Sequence, residues 1–378
     1  MTRWLMLAVA GAVTFAIGAV LDPAQAYFSY LTAYVFGLGI VLSALMLVLI
    51  EELIAATWFV VFRRAAETIA STLPIFVVLF VPIVLGARWL YPWTRVPLLD
   101  VHARDVVVQK TAYLNLPFFM LRAAVYFACW VGIAERVRTL SLRQDREPGS
   151  WNERIRALSG PGLIVLSFTL AFAAIDWVMS LSPTWFSTIF GLQLFAGGML
   201  AALGLIAVIA GFADDPALDA SVSPDHAAAL GKMILTFAIF WAYTSYVQLL
   251  IIWIANLPAE VTWYVSRANG AWRWVGLTIA AGEFAVPFAL MLSYRLKRHR
   301  RMLAKLGLWI LAIRYVEIYW MVMPQLHVAT VRPHWLDASA AATVVGAAAA
   351  CAAWRAQGHA SIPIGDPELQ TSLKYSEA

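Results

Sequence analysis

The chain has 378 residues, 62% of them hydrophobic and only 13% charged, with a mean hydropathy of +0.76. Soluble domains carry about a quarter charged residues, so the composition excludes a soluble globular fold and predicts an all-α, polytopic membrane protein. The formal net charge of +5 sits mostly in basic loops and does not indicate nucleic-acid binding.

Apolar runs long enough to cross a bilayer predict about ten spans: 4–21, 28–50, 69–90, 113–134, 160–181, 186–212, 230–256, 273–294, 303–324 and 335–354. The first follows Arg3 and precedes DPAQA, which permits a signal peptide with an A-x-A cleavage site. Its apolar run is long for that role, and we read a retained helix. The second can run on to Phe62, about 54 Å as a single helix, and would then protrude, bend or turn interfacial after Glu51 and Glu52.

With the N-terminus inside, eighteen Lys and Arg fall on the cytoplasmic side and seven on the other, so both termini are expected in the cytoplasm. The outer connections 91–112 and 257–272 are rich in Trp, Tyr and Pro and suit an aromatic belt or a docking surface. The loop 136–158 and the tail from Gly358 read as solvated connectors. Cys129 and Cys351 lie in apolar runs and the six histidines in loops or at span ends, so this chain has no thiolate cluster or buried bis-histidine haem site. Any metals belong to partners.

Charged groups inside spans cost at least about 2.5–3.5 kcal/mol and normally face a bundle interior. Here they are Arg122, Asp176, Glu283, Arg314 and Glu317, while Glu51, Glu52 and Glu260 are placed at interfaces. Arg314 and Glu317 are spaced i, i+3 and can neutralise each other, either as a packing device or as part of a functional site. Asp176 is a capping carboxylate or a proton acceptor. Glu283 has no basic neighbour on its own helix, which calls for a proton or for a partner on another span such as Arg314.

The seventh span places Tyr243, Tyr246, Trp253 and Asn256 toward one side and Gln248 toward the other. That polar, aromatic face is expected to turn into the bundle, as interhelical hydrogen bonding, a slot for a quinone-like ring, or a proton path. Arg122 is a further candidate for a polar cavity.

Four segments in order, DWVMSLSPTWFSTIFG (176–191), IANLPAEVTWY within 240–264, RYVEIYWMVMPQL (314–326) and PIGDPELQTSL (363–373), resemble the ActF subunits of bacterial alternative complex III, in the NrfD/PsrC-like superfamily. The resemblance covers essentially the whole chain. It implies two four-helix bundles, here roughly 28–181 and 186–324, with flanking helices in one membrane domain (1–357) and a cytoplasmic tail (358–378). It implies a complex of the bacterial inner membrane that oxidises menaquinol or ubiquinol. Electrons would pass through iron–sulfur clusters and haem c in periplasmic partner subunits to cytochrome c or a terminal oxidase. An ActC-like membrane partner would carry the quinol site. This chain, holding no metal and not catalytic alone, would supply a proton path through Asp176, Tyr243, Glu283 and Glu317 with Arg314, or a quinone contact, or structure only. A stand-alone secondary transporter is the remaining alternative, with Pro74, Pro82 and Pro287 as weak candidates for broken helices.

Overall fold

The computed structural model describes residues 1–376 other than 100, 148, 150 and 329. Among them, ten helices are long and apolar enough to span a membrane: α1 Thr2–Leu21, α2 Pro23–Ile54, α3 Thr57–Leu85, α4 Leu116–Gln144, α5 Trp151–Leu181, α6 Phe190–Phe212, α7 Pro224–Ala255, α8 Trp272–Leu292, α9 Arg300–Gln325 and α10 Trp335–Ala356. No strand occurs among the described residues. The protein is an all-α polytopic membrane protein.

Short-range chemistry sets several boundaries. Asp22 ends α1 and caps α2 by accepting from the Gln25 amide at 3.1 Å, with Pro23 in the first helical turn. Asn115 caps α4 in the same way, accepting from Phe118 N at 2.9 Å. Ser223 opens α7, its Oγ accepting from the His226 amide at 3.3 Å. The α7 helix closes at Asn256, which takes the left-handed conformation (φ 47°) that Asn tolerates at a helix end.

The helices sort into two packed groups. In one, α2 contacts α3 and α5, and α4 contacts α3 and α5; in the other, α6 contacts α7 and α9, and α8 contacts α7 and α9. Helix α2 also packs on α6 and α9, which joins the groups along one seam. Helices α1 and α10 pair on the flank, with Thr14 and Ser339 hydroxyls 2.8 Å apart and α10 against α2. Between α6 and α9 the backbones touch: a Cβ on Gly307 would lie 2.3 Å from the Gly204 carbonyl oxygen. Without a hydrophobic effect to press helices together in lipid, such small-residue contact is what holds them.

Helix α3 is broken where Pro74 and Pro82 restart it. The Phe80 and Ile83 amides bond to Val77 and Phe80, and this shortened pattern leaves the Phe76 and Leu79 carbonyls for outside donors. Two α2 phenols take them: Tyr34 to Phe76 O at 3.1 Å and Tyr30 to Leu79 O at 2.8 Å. In lipid an unmet backbone carbonyl costs several kcal/mol, so the pairing of α2 with α3 follows from the prolines.

Two expectations are corrected. Helix α2 does not run to Phe62. It stops at Ile54, with Ala55 left-handed (φ 52°), and α3 begins much earlier than residue 69. The turn folds Glu52 back onto Arg63, and Glu51 and Glu52 are both buried within the protein. The loop after α4 and the tail are not free connectors either. Asp366 lies 2.5 Å from Arg63, the Gly365 amide donates to Asp145 at 3.0 Å, and Asn152 donates to Asp366 at 3.2 Å. Ser372 then sits 3.5 Å from His226 at the start of α7, so the tail straps one helix group to the other. The physical reason is charge: Arg63 and Arg64 bring two cations under cover, and Glu52, Glu67, Asp145 and Asp366 answer them.

Removing Asp366 leaves Arg63 with Glu52 and Glu67, so Asp366→Ala should lose about 1–3 kcal/mol, the range for a charged hydrogen bond. Arg63→Ala strands several carboxylates and should lose more, about 3–5 kcal/mol. Thermal unfolding in detergent, followed by tryptophan fluorescence, ranks the two; equal and negligible shifts would contradict a docked tail.

Candidate functional site

Besides the Arg63–Arg64 cluster at the start of α3, two buried ionic centres lie within the helices. In the first, Arg122 of α4 grips Asp176 of α5 with Nε and Nη2, at 2.8 and 2.9 Å, one bond to each carboxylate oxygen. The Tyr126 hydroxyl donates to the same carboxylate at 2.9 Å. The guanidinium stacks 3.9 Å over the Tyr113 ring and donates to its carbonyl at 2.9 Å. Asp176 is fully buried, and the neighbouring Trp177 is enclosed by Phe80, Phe127 and Trp130. Just outside the span, burial and the Asp176 charge push the Tyr113 phenol up to about 12. This is a neutral, fully bonded pair; its two parallel bonds give it rigid geometry.

The second centre belongs to α8 and α9. Arg314 and Glu317 form the ion pair expected from their spacing. The Trp241 indole of α7 donates to the other Glu317 oxygen at 2.9 Å, and Arg314 donates to Leu194 O on α6 at 3.1 Å. Room for the guanidinium exists because residue 197 is glycine: a Cβ there would lie 2.0 Å from the Arg314 nitrogen. Glu283 stands in the electrostatic field of both Glu317 and Arg314. It is completely buried beside the Glu317 carboxyl, and no other hydrogen-bonding group among the described residues reaches its carboxyl oxygens.

The backbone under Glu283 is unusual. Residues Ala280–Ala285 form a π-helical turn inside α8. Pro287 supplies the cause, since it has no amide to give the Glu283 carbonyl and its ring crowds that carbonyl. The Trp309 indole of α9 donates to Gly282 O at 3.0 Å, holding the widened turn against α9.

Two spaces adjoin this centre. A cavity of about 50 Å³ lies at the seam between the helix groups, where Arg314, Ser43 and Trp177 meet. It is above the threshold for holding water, and the Ser43 hydroxyl and Trp177 indole there have no protein partner among the described residues. A larger groove of about 470 Å³ runs between α7 and α8 from the connecting loop down to Glu317.

The structure brings together Arg314, Glu317 and Glu283, and separately Arg122 and Asp176. It does not bring together the expected aromatic face of α7. Tyr243, Tyr246 and Trp253 are 59%, 61% and 74% exposed, and Asn256 is exposed at the helix end. The inward side instead carries Trp241, Thr244, Gln248 and Ile252. Tyr246 alone of the expected set lines the groove, and Arg122 lies in the other helix group. Tyr243 is therefore outside the ionic centre, and no slot forms from Tyr246, Trp253, Asn256 and Arg122. Glu260 sits half-buried on the short outer helix Pro258–Ala268. Sequence reasoning missed Trp241, Gly197 and Ser43, and the whole Arg63 cluster. The acids and arginines of 51–67 were visible as charges, but nothing in a single sequence paired them with residues 145 and 366.

No protein-family model matches the chain, and no curated protein matches it.

Breaking the Arg122–Asp176 pair from either side strands a buried charge. Arg122→Gln and Asp176→Asn should each cost about 3–5 kcal/mol, whereas Arg122→Met with Asp176→Leu should cost far less than their sum. A double-mutant cycle on thermal unfolding measures this; additive losses would show that the two groups do not depend on each other.

Proposed function

We propose that the chain is a membrane subunit of a respiratory quinol-oxidising complex of the alternative complex III type, in which it moves protons while partner subunits hold the haems and iron–sulfur clusters and oxidise the quinol. The observation that carries this reading is the Arg314–Glu317–Glu283 centre. Two carboxyl groups face one guanidinium, all within 3% exposure. With one proton the set is neutral; without it the set carries one net negative charge. A group of this stoichiometry can load and release a single proton without leaving a second charge to neutralise.

The surroundings suit such a role. The π-helical turn puts a distorted backbone beside an ionisable group, a feature frequent at functional sites. The seam cavity offers Ser43 and water a place between this centre and Trp177, next to Asp176. The four-motif resemblance to ActF subunits points to the same class of complex. A transporter built on matched broken helices is not favoured. The interruptions fall in the second helix of one group (α3) and the third of the other (α8), which are not corresponding positions.

The test uses the assembled complex in proteoliposomes. Glu283→Gln and Glu317→Gln should cut quinol-driven proton release about a hundredfold or more, the usual range for losing a proton-transfer group. Haem content and subunit composition should stay normal. Tyr243→Phe, outside the centre, should leave proton release unchanged. Full proton release in both glutamine variants would overturn the reading, as would purification of the chain without haem-bearing partners.

A further inference from the structure

The groove between α7 and α8 has a feature that proton transfer does not use. At its rim, where α7 and α8 are joined, sits Arg267, a guanidinium only 2% exposed. Four of its five N–H groups are engaged: Nε with Trp320 O at 3.2 Å, Nη1 with Trp263 O at 3.0 Å and Ser266 Oγ at 3.3 Å, and Nη2 with Met321 O at 2.8 Å. It also stacks 3.7 Å over the Trp263 ring. Among the described residues no carboxylate pairs with it.

The Trp320 and Met321 carbonyls belong to the C-terminal turn of α9, which carries roughly half a negative charge, and the Trp263 carbonyl to the short helix that carries Arg267 itself. The rest of the cation is unanswered. Burial pulls Arg267 down to about 9, still above neutrality, so it stays charged. A second arginine, Arg273, lines the same rim in the open, stacked on Trp274 at 5.0 Å. A buried cation without a counter-ion is expensive. Two cations at the mouth of an apolar groove therefore call for an anion that arrives attached to something apolar.

The rest of the groove fits that description. Below the rim its walls are Leu249, Tyr246, Leu277 and Phe284. From Leu249 to Trp241 on α7 it descends about 12 Å at 1.5 Å per residue. Its volume of about 470 Å³ is within the range of ligand sites. A phosphodiester at the loop end would lie at headgroup level, and an acyl chain would run down toward the bilayer centre.

We infer that this groove is a binding site for an anionic phospholipid, with the phosphodiester held by Arg267 and Arg273 and one acyl chain between α7 and α8. The floor of the groove reaches Glu317 of the ionic centre, but the headgroup site lies at the opposite end, on Arg267 and Arg273, and does not depend on the reading of that centre.

The experiment is native mass spectrometry of the protein released from nanodiscs of phosphatidylglycerol and phosphatidylcholine in equal parts. One phosphatidylglycerol should be retained per chain. Arg273→Gln should lower that retention about fivefold, as expected for roughly 1 kcal/mol per surface arginine. Ala242→Phe, which fills the groove and leaves both arginines, should abolish retention while the protein stays monodisperse. Inorganic phosphate at millimolar concentration should not compete, because the acyl chain supplies much of the binding; competition by phosphate alone would identify a free oxyanion site instead. Equal retention of both lipids, retention unaltered in Ala242→Phe, or displacement of the lipid by an added quinone would overturn the proposal.

Discussion

A guanidinium in hydrocarbon has to be answered where it stands, and that constraint organises this protein. Arg122, Arg314, Arg63 and Arg64 are each almost fully buried, and each draws elements together that sequence separation keeps far apart. Arg122 ties α4 to α5. Arg314 ties α9 to α6 through Leu194 O and sits within reach of α7 and α8 through Glu317 and Glu283. Arg63 and Arg64 tie α3 to the end of α2, to the α4–α5 connection and to the tail. In water such pairs contribute little. In a low-dielectric interior, losing one partner leaves a charge that nothing else can solvate, so the pairs fix register even where they add little net stability.

Steric room is the second condition. The Arg314 side chain occupies the place where residue 197 would have a Cβ, so Gly197 is part of the charge centre although it has no polar atom. Pro287 acts similarly on α8: by widening the helix beneath Glu283 it sets the position of a carboxyl group it never touches. Pro74 and Pro82 free carbonyls on α3 that Tyr30 and Tyr34 then bind. In each case a residue without a functional group decides where the functional groups meet.

This explains what could be read from the sequence and what could not. Length and apolarity locate spans directly, because a bilayer demands both; all ten expected ranges overlap an observed helix, while helix ends that leave the apolar stretch differ, as at the start of α3 (57 against 69), the end of α4 (144 against 134) and the start of α5 (151 against 160). The Arg314–Glu317 pair was legible because i, i+3 geometry is local. The inward face of α7 was not. In a soluble helix polarity marks the outside, and for a membrane helix the opposite rule tempted us to turn Tyr243, Tyr246 and Trp253 inward. Lipid is as apolar as the core, however, so amphipathicity exerts little torque on a helix that is apolar all round. Packing of Trp241, Thr244, Gln248 and Ile252 decided the rotation instead. The tail was illegible for another reason: a segment with no periodicity can still dock if it carries an acid that a distant buried arginine takes as a further partner, and Asp366, joining Glu52 and Glu67 on Arg63, is that acid.

The two ionic centres in the spans differ in a way that separates anchoring from chemistry. Around Asp176 the charges are matched one to one, and a bidentate contact and a phenol occupy both carboxylate oxygens inside aromatic walls. Around Glu283 the count is two carboxyl groups to one guanidinium, the donors of Arg314 and Trp241 go to Glu317 and not to Glu283, and the backbone departs from regular helix. Evolutionary pressure for stability alone favours replacing such a mismatch with apolar residues, which is often neutral or stabilising. The unmatched carboxyl beside a matched pair is the feature on which the proposed proton role rests.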